Sequence, residues 1–417
     1  MTSAWKWWIA IVLFLATVLT YLDRQTLSLC GPMICQEFQL SNEEYGRLVA
    51  AFRWAYAFVH LPAGYLADRV SLRLIYAAAV GLWSTAGAAA AFICGGRQLL
   101  ATRAVLGVGE AFNWPCATRI IADLLPPEDR GLGSGIFNSG AAVGSLIAPL
   151  LITPLAIHFG WRTAFFTIGA IGFLWVLLWL AVTRKASVRQ ALVASRPSGG
   201  PRPFPQPGVL RRLGQWAREV LLHPAFWMLL VMGLSVNPCW YFLNEWIPKY
   251  MHDQRHLGYL TAGLVTIPIF VGADLGNLLS GGLIKLLTLR GWSLRRARGT
   301  TLTLAALLIA PTALLGLADD IWLVVAILGL AGMGITSFVA NYTACSQDFS
   351  FANVGIVSGI MGMSCNVFAA SVNPWIGRYV DATGKYTLIF ILMGILPVVS
   401  LAAVLLFDAT IYRKAAS

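Results

Sequence analysis

Long, predominantly apolar runs recur along the whole chain, broken by short clusters of charge, glycine or proline. A run of about 18 or more such residues is long enough to cross the hydrocarbon core of a bilayer as a helix. The pattern predicts helices near residues 7–30, 44–66, 73–94, 98–124, 131–157 and 161–182, then a second set near 224–251, 257–289, 299–317, 321–345, 353–380 and 385–411. The first run starts basic and apolar like a secretory signal. It lacks a small-residue cleavage site and carries Asp23 and Arg24 towards its end, so it reads as a retained first helix.

The stretch between the two blocks, residues 183–222, holds Arg184, Lys185, Arg189, Arg196, Arg202, Arg211, Arg212 and Arg218 together with the segment RPSGGPRPFPQPG. Such a composition predicts a linker of polyproline character. Its last part sets Leu210, Leu213, Trp216, Val220 and Leu221 at spacings suited to a helix lying on the membrane surface. The domain reading is therefore 1–182, a six-helix bundle; 183–222, the linker; and 223–417, a second bundle. A weak internal repeat agrees: GYLADRVSLR, Gly64 to Arg73, has a degenerate counterpart in GGLIKLLTLR, Gly281 to Arg290. Two six-helix halves in parallel repetition are the arrangement of many secondary transporters. One G-x-x-x-D-R read alone is equally a helix end with a charged cap.

Composition sharpens this reading. Of 417 residues, 58% are hydrophobic and 12% charged, about half the charge fraction of a soluble domain. That argues against a soluble enzyme, a disordered chain and a disulfide scaffold, and leaves room for about 12 crossings at roughly 35 residues each. The net charge of +12 is concentrated in connections, so it reads as a topology signal and not as a nucleic-acid surface. The linker and the acid-free segment from Lys285 to Arg298 are expected on the cytoplasmic side, opposite the acidic connection at Asp319 and Asp320. Both termini are then expected inside. The seven cysteines show no C-x-x-C spacing and read as small buried residues.

Ionisable residues at membrane depth cost about 2.5 to 3.5 kcal/mol each on insertion scales and need a reason to be there. Asp23 and Arg24 fall well inside the first helix, with Tyr21 on nearly the face of Arg24. In the fourth, Arg103 and Glu110 lie seven residues apart on one stripe and Asn113 follows three later, so a cation, an acid and an amide are expected to share a side. Two acids and two arginines sum to zero. A bound anion makes such a site net negative unless protons enter with it, which points to proton-coupled uptake. The plainer reading is that the charges only pair with one another to offset burial. Helix 2 places Arg53, Tyr56 and His60 on one face. Arg53 either needs an anionic partner or snorkels to the interface, while His60 reads more simply as a hydrogen-bonded core histidine than as a proton relay.

In the second half, NPCWYFLNEWIPKY supplies Trp240, Tyr241, Asn244 and Glu245, aromatic walls beside donors and acceptors of the kind a polyol needs. Asp274, Asn341, Gln347, Asp348, Asn366 and Asn373 add polar groups, with Asp348 and Asn373 read as satisfying backbone at helix breaks near Pro374. No H-E-x-x-H and no Walker A loop occurs. Gly107-x-Gly109 lacks both the third glycine and the preceding strand of a dinucleotide loop, and Gly140 and Gly144 read as close helix packing.

GYLADRVSLR resembles the loop signature of the major facilitator superfamily, carried here by Gly64, Asp68, Arg69 and Arg73. YLDRQTLSL, RAVLGVGEAFNWPCATRIIADLLPPEDRGLGSGIFNSGAAVGSLIAPLL and FGWRTAFF resemble the anion:cation symporter family within it, nearest to bacterial hexuronate and sugar-acid transporters. WIPKY, GADLGNLLSGGLIKLLTLRGWSLRRAR and GRYVDATGKYTLIF extend the likeness through the second half. The resemblance implies an all-α membrane protein of twelve helices, alternating access and proton symport of an organic anion. It implies Asp23 and Glu110 as the protonating carboxylates, Arg24 as the substrate-carboxylate anchor and Arg103 as the residue coupling Glu110 to occupancy. Tyr21, Tyr56, Asn138 and Asn244 are implied hydroxyl contacts. Arg53, His60 and Lys285 depart from the family pattern, Arg53 signalling a possible second substrate carboxylate and Lys285 a second loop motif without its acid.

The leading expectation is a proton-coupled importer of a monocarboxylic sugar acid, hexuronate or hexonate, with Arg53, Trp240, Tyr241 and Asn366 also in the substrate site. It is expected as a monomer in the bacterial inner membrane, with the organic anion, protons and the bilayer as partners, and with no nucleic acid, metal or cofactor. The alternatives are an exchanger of sugar phosphates or other organic anions, for which Arg24, Arg53 and Arg103 would form the cluster, and a non-transporting membrane receptor.

Overall fold

The computed structural model describes residues 3–67, 69–185, 188, 192, 224–349 and 354–407, and none of these residues lies in a strand. α1 (Ser3–Phe38), α2 (Asn42–Ala67) and α3 (Leu72–Ala89, prolonged by a 3-10 turn Ala90–Phe92) lead to α4 (Gly96–Glu110) and α5 (Asn113–Leu124), two pieces of one predicted helix. α6 (Pro127–Phe159) and α7 (Trp161–Val182) complete the first half. In the second, α8 (Pro224–Glu245) and α9 (Ile247–Asp253) divide one predicted span, and α10 (Tyr259–Leu264) and α11 (Ile267–Leu289) divide the next. α12 (Leu294–Ile309) runs into a 3-10 stretch Ala310–Leu317, followed by α13 (Ile321–Phe349), α14 (Val354–Thr383) and α15 (Thr387–Phe407).

Each of the twelve predicted helices has a counterpart, and eight helical stretches are long and apolar enough to cross a membrane. The others are α2, the broken α4–α5, α14 and α15. Leu174, Leu278, Leu307 and Trp322 are more than half exposed, an outer surface suited to acyl chains and not to water. The residues from Leu210 to Leu221 read as a surface helix lie outside the described residues, as do the side chains of Gln347 and Asp348.

The helices fall into two compact units. The first lies within Met1–Pro201, Asn244–Ile267 and Ala369–Gly384, the second within Arg202–Leu243, Pro268–Phe368 and Lys385–Ser417. In the first unit α6 presses on α1 through Gly140 and Gly144, where an added Cβ would meet the carbonyl oxygens of Phe14 and Val18 at 2.5 and 2.7 Å; these are packing glycines, as the spacing suggests. α14 approaches the start of α2 equally closely, and a Cβ on Gly377 would stand 2.0 Å from the Asn42 carbonyl oxygen. The Asp381 carboxylate accepts the backbone N–H groups of Asn42 and Glu43, both at 2.9 Å, which satisfies donors that the first turn of a helix leaves open.

In the second unit α11 and α13 are joined by hydroxyls. Thr336 donates to the Ala273 carbonyl at 2.6 Å, Ser337 to Gly276 at 2.9 Å, and Asn341 to the Ser280 hydroxyl at 2.9 Å. Asn341 is 1% exposed. The cysteine reading needs a correction: all seven are free thiols and five are buried, but Cys94, in the connection after α3, is exposed and Cys345 is half-buried.

Candidate functional site

α1 brings its two charged residues into the interior of the first unit. Asp23 is 5% exposed, and its Oδ1 faces Gly87 of α3, where an added Cβ would lie 3.1 Å away. The next residue turns about 100° round the helix, so Arg24 points elsewhere: its Nε donates to Glu110 Oε2 at 2.6 Å. Glu110 is fully buried at the C-terminal end of α4. Its seat is made by the glycines of the G-V-G-E stretch. A Cβ on Gly107 would stand 2.4 Å from the Phe52 carbonyl oxygen of α2, and one on Gly109 would stand 2.9 Å from the Trp83 nitrogen of α3. The two glycines therefore set the depth at which α4 carries Glu110.

Aromatic rings complete the surroundings of Arg24. The Arg24 guanidinium carbon lies 5.4 Å from the ring centre of Tyr21, 5.0 Å from Phe52 and 5.1 Å from Tyr56, each within cation–π range. Arg103 approaches the same Phe52 ring at 5.1 Å. Arg103 is 5% exposed and has no carboxylate within ion-pair distance among the described residues. Phe52, Tyr56 and His60 form a stacked column on α2, with centres 5.9 and 5.3 Å apart. His60 is half-buried and held by this stacking, and its Nδ1 makes no hydrogen bond among the described residues.

A second ion pair stands beside the first. Arg53 of α2 pairs with Glu245 at the end of α8, the arginine side chain 7% and the glutamate 16% exposed. Arg53 thus has the anionic partner its burial demands and does not snorkel. The chain around Glu245 is held by hydrogen bonds from α1 and α2, one of them to a carbonyl that a proline leaves open. Pro248 has no N–H to give the Asn244 carbonyl, so the helix breaks between α8 and α9. The Ser28 hydroxyl of α1 donates to that carbonyl at 2.7 Å, and the Tyr45 hydroxyl of α2 donates to the Glu245 carbonyl at 2.6 Å. Gln25 donates to the Asn244 side chain at 3.0 Å. Asn373 does not sit at a helix break, because α14 runs on through Pro374; its Oδ1 accepts from Trp246 at 2.7 Å and its Nδ2 donates to the Ala369 carbonyl at 2.9 Å.

Between these groups lies a cavity of about 20 Å³ lined by Arg24, Leu27, Ser28, Tyr45, Val49, Phe52, Arg103 and Glu245. It accommodates about one water molecule. Of the two arginines that line it, Arg24 is held by a carboxylate of the protein and Arg103 is not. Both carboxylates are half-used: Glu110 Oε1 and Glu245 Oε2 are buried without a hydrogen-bond partner among the described residues.

Other expected site residues are described by their own contacts. Asn113 follows a break after Glu110, and in place of sharing the Arg103 side it accepts from Tyr76 at 2.6 Å and donates to Thr20 at 3.3 Å. Asn138 is exposed on α6. Trp240, Tyr241 and Asn366 belong to the second unit, where Trp240 meets Phe270 edge to face and Asn366 donates to the Gly362 carbonyl. Of the loop motif, Gly64 is in α2 with open space beside it, Arg69 stacks on Tyr65 at 4.2 Å, and Arg73 donates to the Thr183 hydroxyl and the Leu180 carbonyl at the end of α7. Asp68 lies outside the described residues. Gln25, Ser28 and Tyr45 carry no signal in a hydropathy pattern, and Glu245 was legible only as one polar residue of its segment. For Ser28 the signal is the proline three residues beyond Glu245, which leaves the Asn244 carbonyl in need of a donor.

Comparison with known proteins gives a consistent result. The chain is 28% identical to a probable galactarate/D-glucarate transporter of Bacillus subtilis (strain 168), over 98% of this chain and 93% of that protein. It is 25% identical to a hexuronate transporter of Escherichia coli (strain K12), covering 91% and 88%, and 26% identical to a D-galactonate transporter of Escherichia coli O6:H1, covering 90% and 89%. Among solved structures, a bacterial homolog of the human lysosomal transporter Spinster, in an inward-facing and occupied conformation, superposes with a TM-score of 0.77 at 19% identity over 98% of both chains. The profile of the Major Facilitator Superfamily matches residues 13–373. A helical chain of this hydropathy, matched along most of its length by that profile, is a membrane transporter and not an enzyme, and it belongs to the Major Facilitator Superfamily.

Proposed function

We propose that the protein is a proton-coupled symporter that imports a sugar acid by alternating access of its two six-helix halves. The relatives that carry galactarate or glucarate, hexuronate and galactonate in their names support the substrate class. The ion pair of half-buried Arg24 with fully buried Glu110, with Arg103 beside it, is the observation that carries the coupling. A substrate carboxylate that binds Arg24 takes the place of Glu110. The displaced Glu110 is then a buried carboxylate without its partner, a state that costs several kcal/mol and is relieved when Glu110 takes up a proton. Anion and proton enter together for that reason, and Asp23, close by on α1, is the second proton carrier. Arg103 retains a positive charge at the site while Glu110 is neutral. The host membrane is the bacterial inner membrane, with both termini inside and the monomer as the working unit. A sugar-phosphate exchanger fits less well, because two of the three arginines it would recruit are already matched to carboxylates.

Reconstitution into liposomes tests this reading. Labelled glucuronate or gluconate should accumulate under an inward proton gradient and cease to accumulate when the gradient is collapsed. Uptake indifferent to the gradient rejects the coupling, and absence of uptake for every sugar acid rejects the substrate class.

A further inference from the structure

The names of the relatives divide between acids with one carboxylate and acids with two, and the site itself offers a way to choose. We infer that Glu245 sets the charge class of the substrate: it pairs with Arg53, lines the cavity in its place, and so selects sugar acids that are neutral at the end remote from Arg24. The inference rests on the sugar-acid reading above and goes beyond it by naming the selecting residue.

Three observations carry it. Arg53 is the third arginine of the cluster, and by itself it would invite a second carboxylate. It is paired with Glu245, which lines the cavity together with Arg24 and Arg103, whereas Arg53 does not. An arriving ligand therefore meets the carboxylate before the guanidinium. Glu245 Oε2, buried and without a hydrogen-bond partner among the described residues, is an acceptor awaiting a donor. A hydroxyl supplies that donor, whereas an ionised carboxylate has none to give and meets like charge. The backbone of Glu245 is held by Tyr45, and that of its neighbour Asn244 by Ser28, both lining the same cavity, so the acceptor is fixed in place.

Gluconate and glucarate form a matched pair for the test, since they differ only in a terminal CH2OH against a second carboxylate. Dissociation constants for both are measured on the purified full-length protein and on Glu245→Gln, on the double variant Arg53→Gln with Glu245→Gln, and on the exchanged pair Arg53→Glu with Glu245→Arg. The wild type should favour gluconate. Glu245→Gln should move the preference towards glucarate by about tenfold or more, the range that close charge pairs command, and the double variant should lose that gain. The exchanged pair keeps a buried ion pair and places the guanidinium on the cavity, so it should favour glucarate even if the single variant fails to fold. A wild type that binds glucarate as tightly as gluconate overturns the inference, as does a ratio unmoved in Glu245→Gln or an exchanged pair that still favours gluconate. Gluconate binding with an unmoved ratio defeats only the role of Glu245, whereas a wild type that binds neither acid removes the sugar-acid reading as well.

Discussion

Arg24 is where the electrostatics of the site converge, with one carboxylate at 2.6 Å and three aromatic rings within 5.4 Å of its guanidinium carbon. Arg24→Ala should abolish sugar-acid binding in a thermal-shift assay, since alanine removes the charged donors that bind a carboxylate. Glu110→Gln should separate two properties. Binding and exchange of labelled for unlabelled substrate persist, because Arg24 remains, while accumulation driven by a proton gradient is lost; a variant that still concentrates substrate disproves the role given to Glu110. Ser28 matters differently. Ser28→Ala leaves the Asn244 carbonyl at the helix break without its 2.7 Å donor, and the melting temperature should fall by an amount corresponding to about 1 to 3 kcal/mol. A sequence reading picks out Arg24 and Glu110 because charge in an apolar run is conspicuous, but it passes over Ser28, because serine is ordinary in any helix until a distant proline frees a carbonyl beside it.

Helix breaks and close approaches decide where those residues stand. The division of one predicted helix into α4 and α5 sends Asn113 to Tyr76 and Thr20 and away from Arg103, something a periodicity of 3.6 extrapolated across residues 98–124 does not show. The glycine contacts are graded and can be tested as a series. Gly107→Ala places a methyl group 2.4 Å from backbone, an overpacking that costs about 1 to 3 kcal/mol, and it should lower the melting temperature and displace Glu110 together. Gly64→Ala and Gly81→Ala meet nothing within 4 Å and should be neutral or slightly stabilising, since alanine is the better helix former by up to about 1 kcal/mol. Equal losses at all three positions would show that close approach is not what Gly107 serves.

The arrangement of spans follows from hydropathy and from the basic connections. If the acid-free segment from Lys285 to Arg298 faces the cytoplasm, the connection after α3 faces outward, and there the exposed Cys94 is a natural probe. A membrane-impermeant maleimide should label Cys94 in intact cells. A cysteine introduced at Arg295 in a Cys94→Ser background should react only after permeabilisation. The reverse pattern would invert the topology and with it the direction of coupled uptake.

The order of the helices and the small set of ionised residues within apolar runs are legible in the linear pattern, because a bilayer imposes one length and one solvent on every span and makes each charge within it an exception; that Asn244–Ile267 and Ala369–Gly384 join the first compact unit is not. Partnership was not legible. That Glu110 bonds Arg24 and not Arg103, and that Arg53 bonds Glu245, almost two hundred residues away, depends on which helices meet and on glycines and a proline that set their depth. Such pairings arise only when the chain closes on itself, since a hydrogen bond is satisfied or lost over less than an ångström, far below what the spacing of apolar residues resolves.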